Sequence, residues 1–238
     1  MSNYNYGNFS ADDYDFENSN GPQIGEKAFD FELMDANGMP KDLLDFEGDF
    51  LVLELGSITC PLFQARRKTM MTLQDTFPQV SNVILYVREA HPGKDIPMHE
   101  NLDEKLNCAQ LLRDDDGERR TIIVDDIEGN AHKAYGSMPN AVFIINKHGC
   151  VVYRSGWNNE IATQEALRSL IKGEPIRAKS YFKPSTPSVL LRTLNRAGAG
   201  SRTDFFKSLP YLFWQNIIKR NLRLLFNSSK MIDGNMRC

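Results

Sequence analysis

Cys60 is the residue of this chain best placed to do chemistry. In FLVLELGSITCPLF (residues 50–63) an apolar, β-prone run ends at Gly56, and Ser57, Ile58 and Thr59 lead to the cysteine. Pro61 then opens a helical pattern that runs to Phe77. A cysteine at such a strand-to-helix turn meets the first unpaired N–H groups of the helix and the positive end of its dipole. Both favour thiolate over thiol, so a nucleophile is expected. Cys108 falls beside Leu102 and Leu106 and reads as core, while Cys150 on a strand and Cys238 carry little signal. With no CxxC and no His/Cys cluster at zinc spacing, the four cysteines are expected to be isolated thiols in a reducing compartment. Neither a disulfide framework nor a metal site is indicated.

The elements that must hold Cys60 follow from the pattern around it. Residues 1–22, rich in Asn, Asp, Ser, Gly and Tyr, show no apolar periodicity and are expected to be disordered. Residues 29–38 alternate apolar and polar up to Asn37-Gly38, a hairpin turn, and return through Met39 to Leu44. Residues 50–55 and 82–87 read as buried strands flanking the 61–77 helix, which makes a right-handed βαβ unit. After a loop, EAHPGKDIP, come a helix over 101–112, a strand over 121–124, a hairpin of 141–146 with 150–153 around Lys147-His148-Gly149, and a closing helix over 161–171. That order is the topology of the thioredoxin superfamily: an α/β fold with a central mixed sheet flanked by helices, here with an N-terminal β element and a C-terminal helical extension. Pro139 stands just before a central strand, where that fold keeps a cis-proline facing the active cysteine. The expected division is a tail over 1–22, the thioredoxin-like domain over 23–175 and an extension over 176–238.

Several motifs together, GSITCPLF, YVREAHP, IPMH, IIVDD and AYGSMPNAVFIINKHGCVVYRSG, resemble the iodothyronine deiodinase family over roughly residues 24–172. The resemblance implies a thiol-dependent oxidoreductase that removes iodine from an aromatic ring such as thyroxine, with no bound cofactor and an external thiol as reductant. Cys60 stands where vertebrate members carry selenocysteine and would take the halogen as a sulfenyl iodide. His91 would deliver a proton, since an unperturbed imidazole exchanges one near neutral pH. Tyr86, Glu89, Ser57 and Thr59 match relay positions, and His99 matches a histidine that holds substrate. Phe63, Met138 and Pro139 would border the aromatic slot. Two departures bear on this reading. The family's cysteine two residues before the nucleophile is Ile58, and a basic residue near the substrate's amino-acid end falls around Trp157.

Charge divides the chain. Residues 1–175 hold 16 Lys/Arg against 29 Asp/Glu (−13) and residues 176–238 hold 12 against 2 (+10), which together give −3. After a flexible AGAGS, SLPYLFWQNIIKRNLRLLFN places Trp214, Ile217, Ile218, Leu222, Leu224 and Leu225 on one side of a helix beginning after Pro210. Asn216, Lys219, Arg220 and Arg223 fall on the other. Such a helix packs on its own domain or a homodimer partner, or makes peripheral membrane contact through 205–226. Nucleic acid is not an expected partner of so acidic a main domain. No run approaches a membrane span, and the expected location is cytoplasmic. The competing enzymatic reading is a one-cysteine thiol peroxidase, because Ser57 is a hydroxyl three residues before Cys60. The non-enzymatic reading is a thioredoxin-like binding module.

Overall fold

The structure is a computed structural model that describes residues 4–16, 20–226 and 231–238. The alternating stretch forms the expected hairpin. β1 (Glu32–Asp35) and β2 (Pro40–Asp42) pair antiparallel around a turn in which Gly38 takes φ +77°, a region open to glycine and costly for most side chains. Next comes β3 (Phe50–Gly56), with all seven residues buried. It leads into α1 (Pro61–Met71), a short α2 (Leu73–Thr76) and β4 (Val80–Tyr86), parallel to β3. The single helix expected to Phe77 is broken at Thr72, whose ψ of 0° turns the chain.

Then follow α3 (Leu102–Asp114), β5 (Thr121–Val124), α4 (Asn130–Ala134), β6 (Val142–Asn146), β7 (Val151–Ser155) and α5 (Glu160–Lys172). The strand order is β2-β1-β5-β4-β3-β6-β7, with β3 between parallel β4 and antiparallel β6. This is the thioredoxin-like α/β fold. The period of two along β3 sends Leu51, Leu53 and Leu55 into one core and Phe50 and Val52 into the core on the opposite face. Burial on both faces explains why the strand reads as an unbroken apolar run.

Both ends of the chain depart from expectation. Residues 4–16 are not disordered: they pack on the domain, with Phe9, Ala11 and Tyr14 buried, whereas residues 1–3 and 17–19 lie outside the described residues. At the other end are α6 (Pro187–Ala197), α7 (Ser201–Leu212), a π-helical stretch (Phe213–Arg220) and α8 (Asn221–Leu225). The helix therefore does not begin after Pro210. It passes through the proline and widens into the π-helical stretch three residues later.

The amphipathic expectation is met only in part. Trp214, Leu222 and Leu225 are more than half exposed, Ile217, Ile218 and Leu224 are half-buried, and from the polar side Asn216 and Arg220 are docked on the domain. Buried polar atoms of the domain explain this, because they need partners that only the polar side can supply. Asn216 Oδ1 accepts from Trp157 Nε1 at 2.7 Å, Arg220 Nη2 donates to Ser155 Oγ at 3.2 Å, and Asn221 Oδ1 accepts from Phe182 N at 2.7 Å.

The expectation of four isolated cysteines is corrected too. Cys150 and Cys238 form a disulfide across 88 positions, leaving Cys60 and Cys108 as the free thiols. The cytoplasmic reading loses the support it drew from isolated thiols. Among the described residues no helix is long and apolar enough to cross a membrane.

Candidate active site

Cys60 is the N-cap residue of α1, with Pro61 at the first helical position, where its missing N–H costs nothing. Gly56 ends the preceding strand because the Phe63 ring lies where a Cβ would stand. The N–H groups of Leu62 and Phe63 favour the thiolate, as a helix start predicts, although the side chain closes no capping hydrogen bond. Burial outweighs them. The side chain is 2% exposed, and desolvation pushes the thiol up to about 11, with the backbone N–H groups and Arg66 pulling the other way. The expectation of a favoured thiolate is thus corrected.

Behind the turn lies a fully buried network centred on Glu89. One carboxylate oxygen accepts from Thr59 Oγ1 at 2.5 Å and from Thr59 N at 3.1 Å, and the other accepts from Tyr86 OH at 2.5 Å. His99 Nε2 stands 3.2 Å from the same carboxylate, close enough for an ion pair but off the alignment of a hydrogen bond. Burial pushes Glu89 up, yet the His99, Thr59 and Tyr86 contacts prevail and hold it below the usual carboxylate range. Tyr86 is kept protonated by burial and by that carboxylate, and its oxygen accepts from Ile58 N at 3.2 Å. Thr59 Oγ1 in turn accepts from His91 N at 3.2 Å, so the network ties the Cys60 turn to the EAHP loop.

His91 is buried, and desolvation brings its ring down to about 3, so it is neutral at pH 7. The expectation of an unperturbed imidazole is corrected accordingly. The ring packs against Phe9 (centroids 4.2 Å apart) and Phe205 (5.4 Å), and its Nδ1 has no partner.

Cys60 and His91 both face a cavity of about 150 Å³. Pro139 lines it too, although its peptide bond is trans, no cis bond occurring among the described residues. The remaining expected slot residues stand elsewhere. Phe63 is wholly buried under Gly56, Met138 sits against the main core and a separate surface hollow, and His99 is behind Glu89. Ser57 is off the cavity as well: its hydroxyl accepts from Ala90 N at 3.2 Å, in place of the thiol contact that a peroxidase reading requires.

Sequence reading missed the cavity walls, Phe9, Tyr14 and Phe16 from one end of the chain and Phe205, Leu212 and Phe213 from the other. The signal was the five aromatic residues between Tyr4 and Phe16. Three of them, Tyr4, Tyr6 and Tyr14, place their rings within 5.1 Å of the Arg88 guanidinium, beside the EAHP loop. Glu89, His99 and Cys108 each bring one donor atom within 4.8 Å of the others, but the Glu89 oxygens already accept three hydrogen bonds, which leaves little for a cation.

The sequence profile of the iodothyronine deiodinases matches residues 11–173, more than half of the chain. The chain belongs to that family. Among curated relatives, the chicken (Gallus gallus) thyroxine 5-deiodinase is 28% identical over 170 residues, covering 66% of this chain and 65% of that protein. The sheep (Ovis aries) thyroxine 5-deiodinase is 29% identical over 116 residues, covering 44% of this chain and 39% of the relative. The chain thus spans less than two thirds of either relative. A solved structure from Sinorhizobium meliloti, a hypothetical protein, shares the fold with a TM-score of 0.55 at 19% identity, covering 71% of this chain and 93% of its own. The deiodinase match stops before α6, so the C-terminal wall of the cavity lies outside it.

Proposed function

We propose that this member of the deiodinase family removes iodine, or another halogen, reductively from an aromatic ring, with Cys60 as the attacking group. The observation that carries the reading is Cys60 facing an apolar chamber beside His91. The sulfur takes the halogen and the ring carbon takes a proton, so that Ar–I and Cys–SH become Ar–H and Cys–S–I. One external thiol attacks the sulfenyl sulfur, expelling iodide and losing its own proton. A second thiol cleaves the mixed disulfide and restores Cys60. Two thiols become one disulfide, and the electrons balance.

An external reductant is required because, among the described residues, no second cysteine lines the chamber. Neutral His91 can take a proton on one ring nitrogen while releasing one from the other, and so relays it without net charge in a dry site. Glu89, Thr59 and Tyr86 act as positioning residues that hold the turn and the loop together.

The test is iodide release from thyroxine and from smaller aryl iodides by purified protein with excess dithiothreitol, comparing wild type, Cys60→Ser and His91→Ala. The expected result is loss of at least 100-fold for Cys60→Ser and at least tenfold for His91→Ala. Cys60-dependent consumption of hydrogen peroxide with no iodide release from any aryl iodide would replace this reading with a thiol peroxidase.

A further inference from the structure

The chamber constrains what can enter it. Its volume is about 150 Å³, and an apolar cavity of about that size accommodates a single benzene ring. Among the described residues no Asp, Glu, Lys or Arg lines it. Most of the polar groups that do are already engaged: Trp157 Nε1 donates to Asn216, the Asn216 amide donates back to Leu212 O at 3.1 Å, and Tyr14 OH is bonded to Tyr6 OH at 2.5 Å. The buried lining atom left without a partner is His91 Nδ1, and Ser185 stands half-buried at the rim. A charged end carried inside would lose its hydration with no ion to meet it, at a cost of several kcal/mol.

On the dehalogenase reading above, we infer that the chamber takes a single-ring, uncharged aryl substrate, with one hydrogen-bonding group for His91, and excludes two-ring and charged ligands. Phe205 sets the size limit. It packs edge-on against His91 from α7, and Phe9 packs on the same ring from the other end of the chain, so both ends wall the chamber beside His91. Trp157 contributes to the charge limit, since it lines the chamber with an indole whose N–H is already given to Asn216 and offers no ion.

The experiment measures binding apart from turnover. Cys60→Ser protein is titrated calorimetrically with 4-iodophenol, 4-iodobenzoate and thyroxine, and iodide release from the same three is measured with wild type and dithiothreitol. The expected result is 4-iodophenol binding at least tenfold more tightly than either of the others, with Phe205→Ala reducing its margin over thyroxine to under threefold. Thyroxine or 4-iodobenzoate binding as tightly as 4-iodophenol to the unaltered walls would overturn the inference, whether or not Phe205→Ala folds. The two readings fail separately. The expected binding order without iodide release upholds the ligand class and sinks the dehalogenase reading, whereas iodide release with thyroxine preferred sinks the ligand class alone.

Discussion

Two effects compete at Cys60. The helix start offers it N–H groups from Leu62 and Phe63, and the surroundings remove water from it. Desolvation prevails, aided by the charge of Glu54 beneath the turn. With the thiol near 11, only about one molecule in ten thousand is thiolate at pH 7. In a Cys108→Ala background, alkylation of Cys60 by iodoacetamide is therefore expected to accelerate about tenfold per pH unit from pH 7 to 10. A rate that levels off below pH 8 would mean that the helix start wins after all. The position of Cys60 was legible because strand, turn and helix are all local to residues 50–77. Its protonation was not, because the residues that dry it come from the two ends of the chain. Glu54 was hidden for a related reason. One carboxylate in an apolar strand looks like noise until Arg120 at 2.7 Å and the Asn140 and Asn158 amides at 3.0 and 2.6 Å are seen to satisfy it.

At the scale of elements, the EAHP loop is held from outside by the segment between α6 and α7. The N–H groups of Asp95 and Ile96 donate to Ala197 O and that of Lys94 to Ala199 O. Gly198 lies at φ +94°, and a Cβ there would stand 2.7 Å from Asp95 N. The stretch read as a flexible AGAGS is thus a clamp, and its glycines serve close approach as well as backbone freedom. Gly198→Ala is expected to destabilise the protein by about 1–3 kcal/mol. Hydrogen exchange at Lys94, Asp95 and Ile96 should quicken, and unchanged protection at these amides would remove the clamp from the account. The β3–α1–β4 unit, the hairpins and α5 were legible because their patterns are local. The docking of the 213–225 helix was not: a helical wheel separates two sides, but which side faces the domain depends on Ser155, Trp157 and Phe182, whose unmet polar atoms no local pattern displays.

For the molecule as a whole, the Cys150–Cys238 disulfide fastens the final residues to the start of β7. Closing a loop across 88 positions restrains the unfolded chain and contributes about 2–4 kcal/mol. Cys238→Ser should lower the urea midpoint accordingly in the absence of reductant, and the difference should vanish once dithiothreitol has reduced the wild type. A gap that persists in reductant would attribute the effect to packing. The cysteine pattern gave no hint of this bond, because two cysteines far apart in sequence have no spacing to recognise.

The walls of the chamber also have an order in time. The sheet, Cys60 and α5 are complete in the chain by Lys172, but Phe205 and Phe213 follow some tens of residues later. At a synthesis rate of about 5–20 residues per second, the interval is on the order of seconds. During it a nascent chain could present to its surroundings the same thiol that the finished protein keeps almost sealed, which makes biosynthesis the period when Cys60 is most open to oxidation.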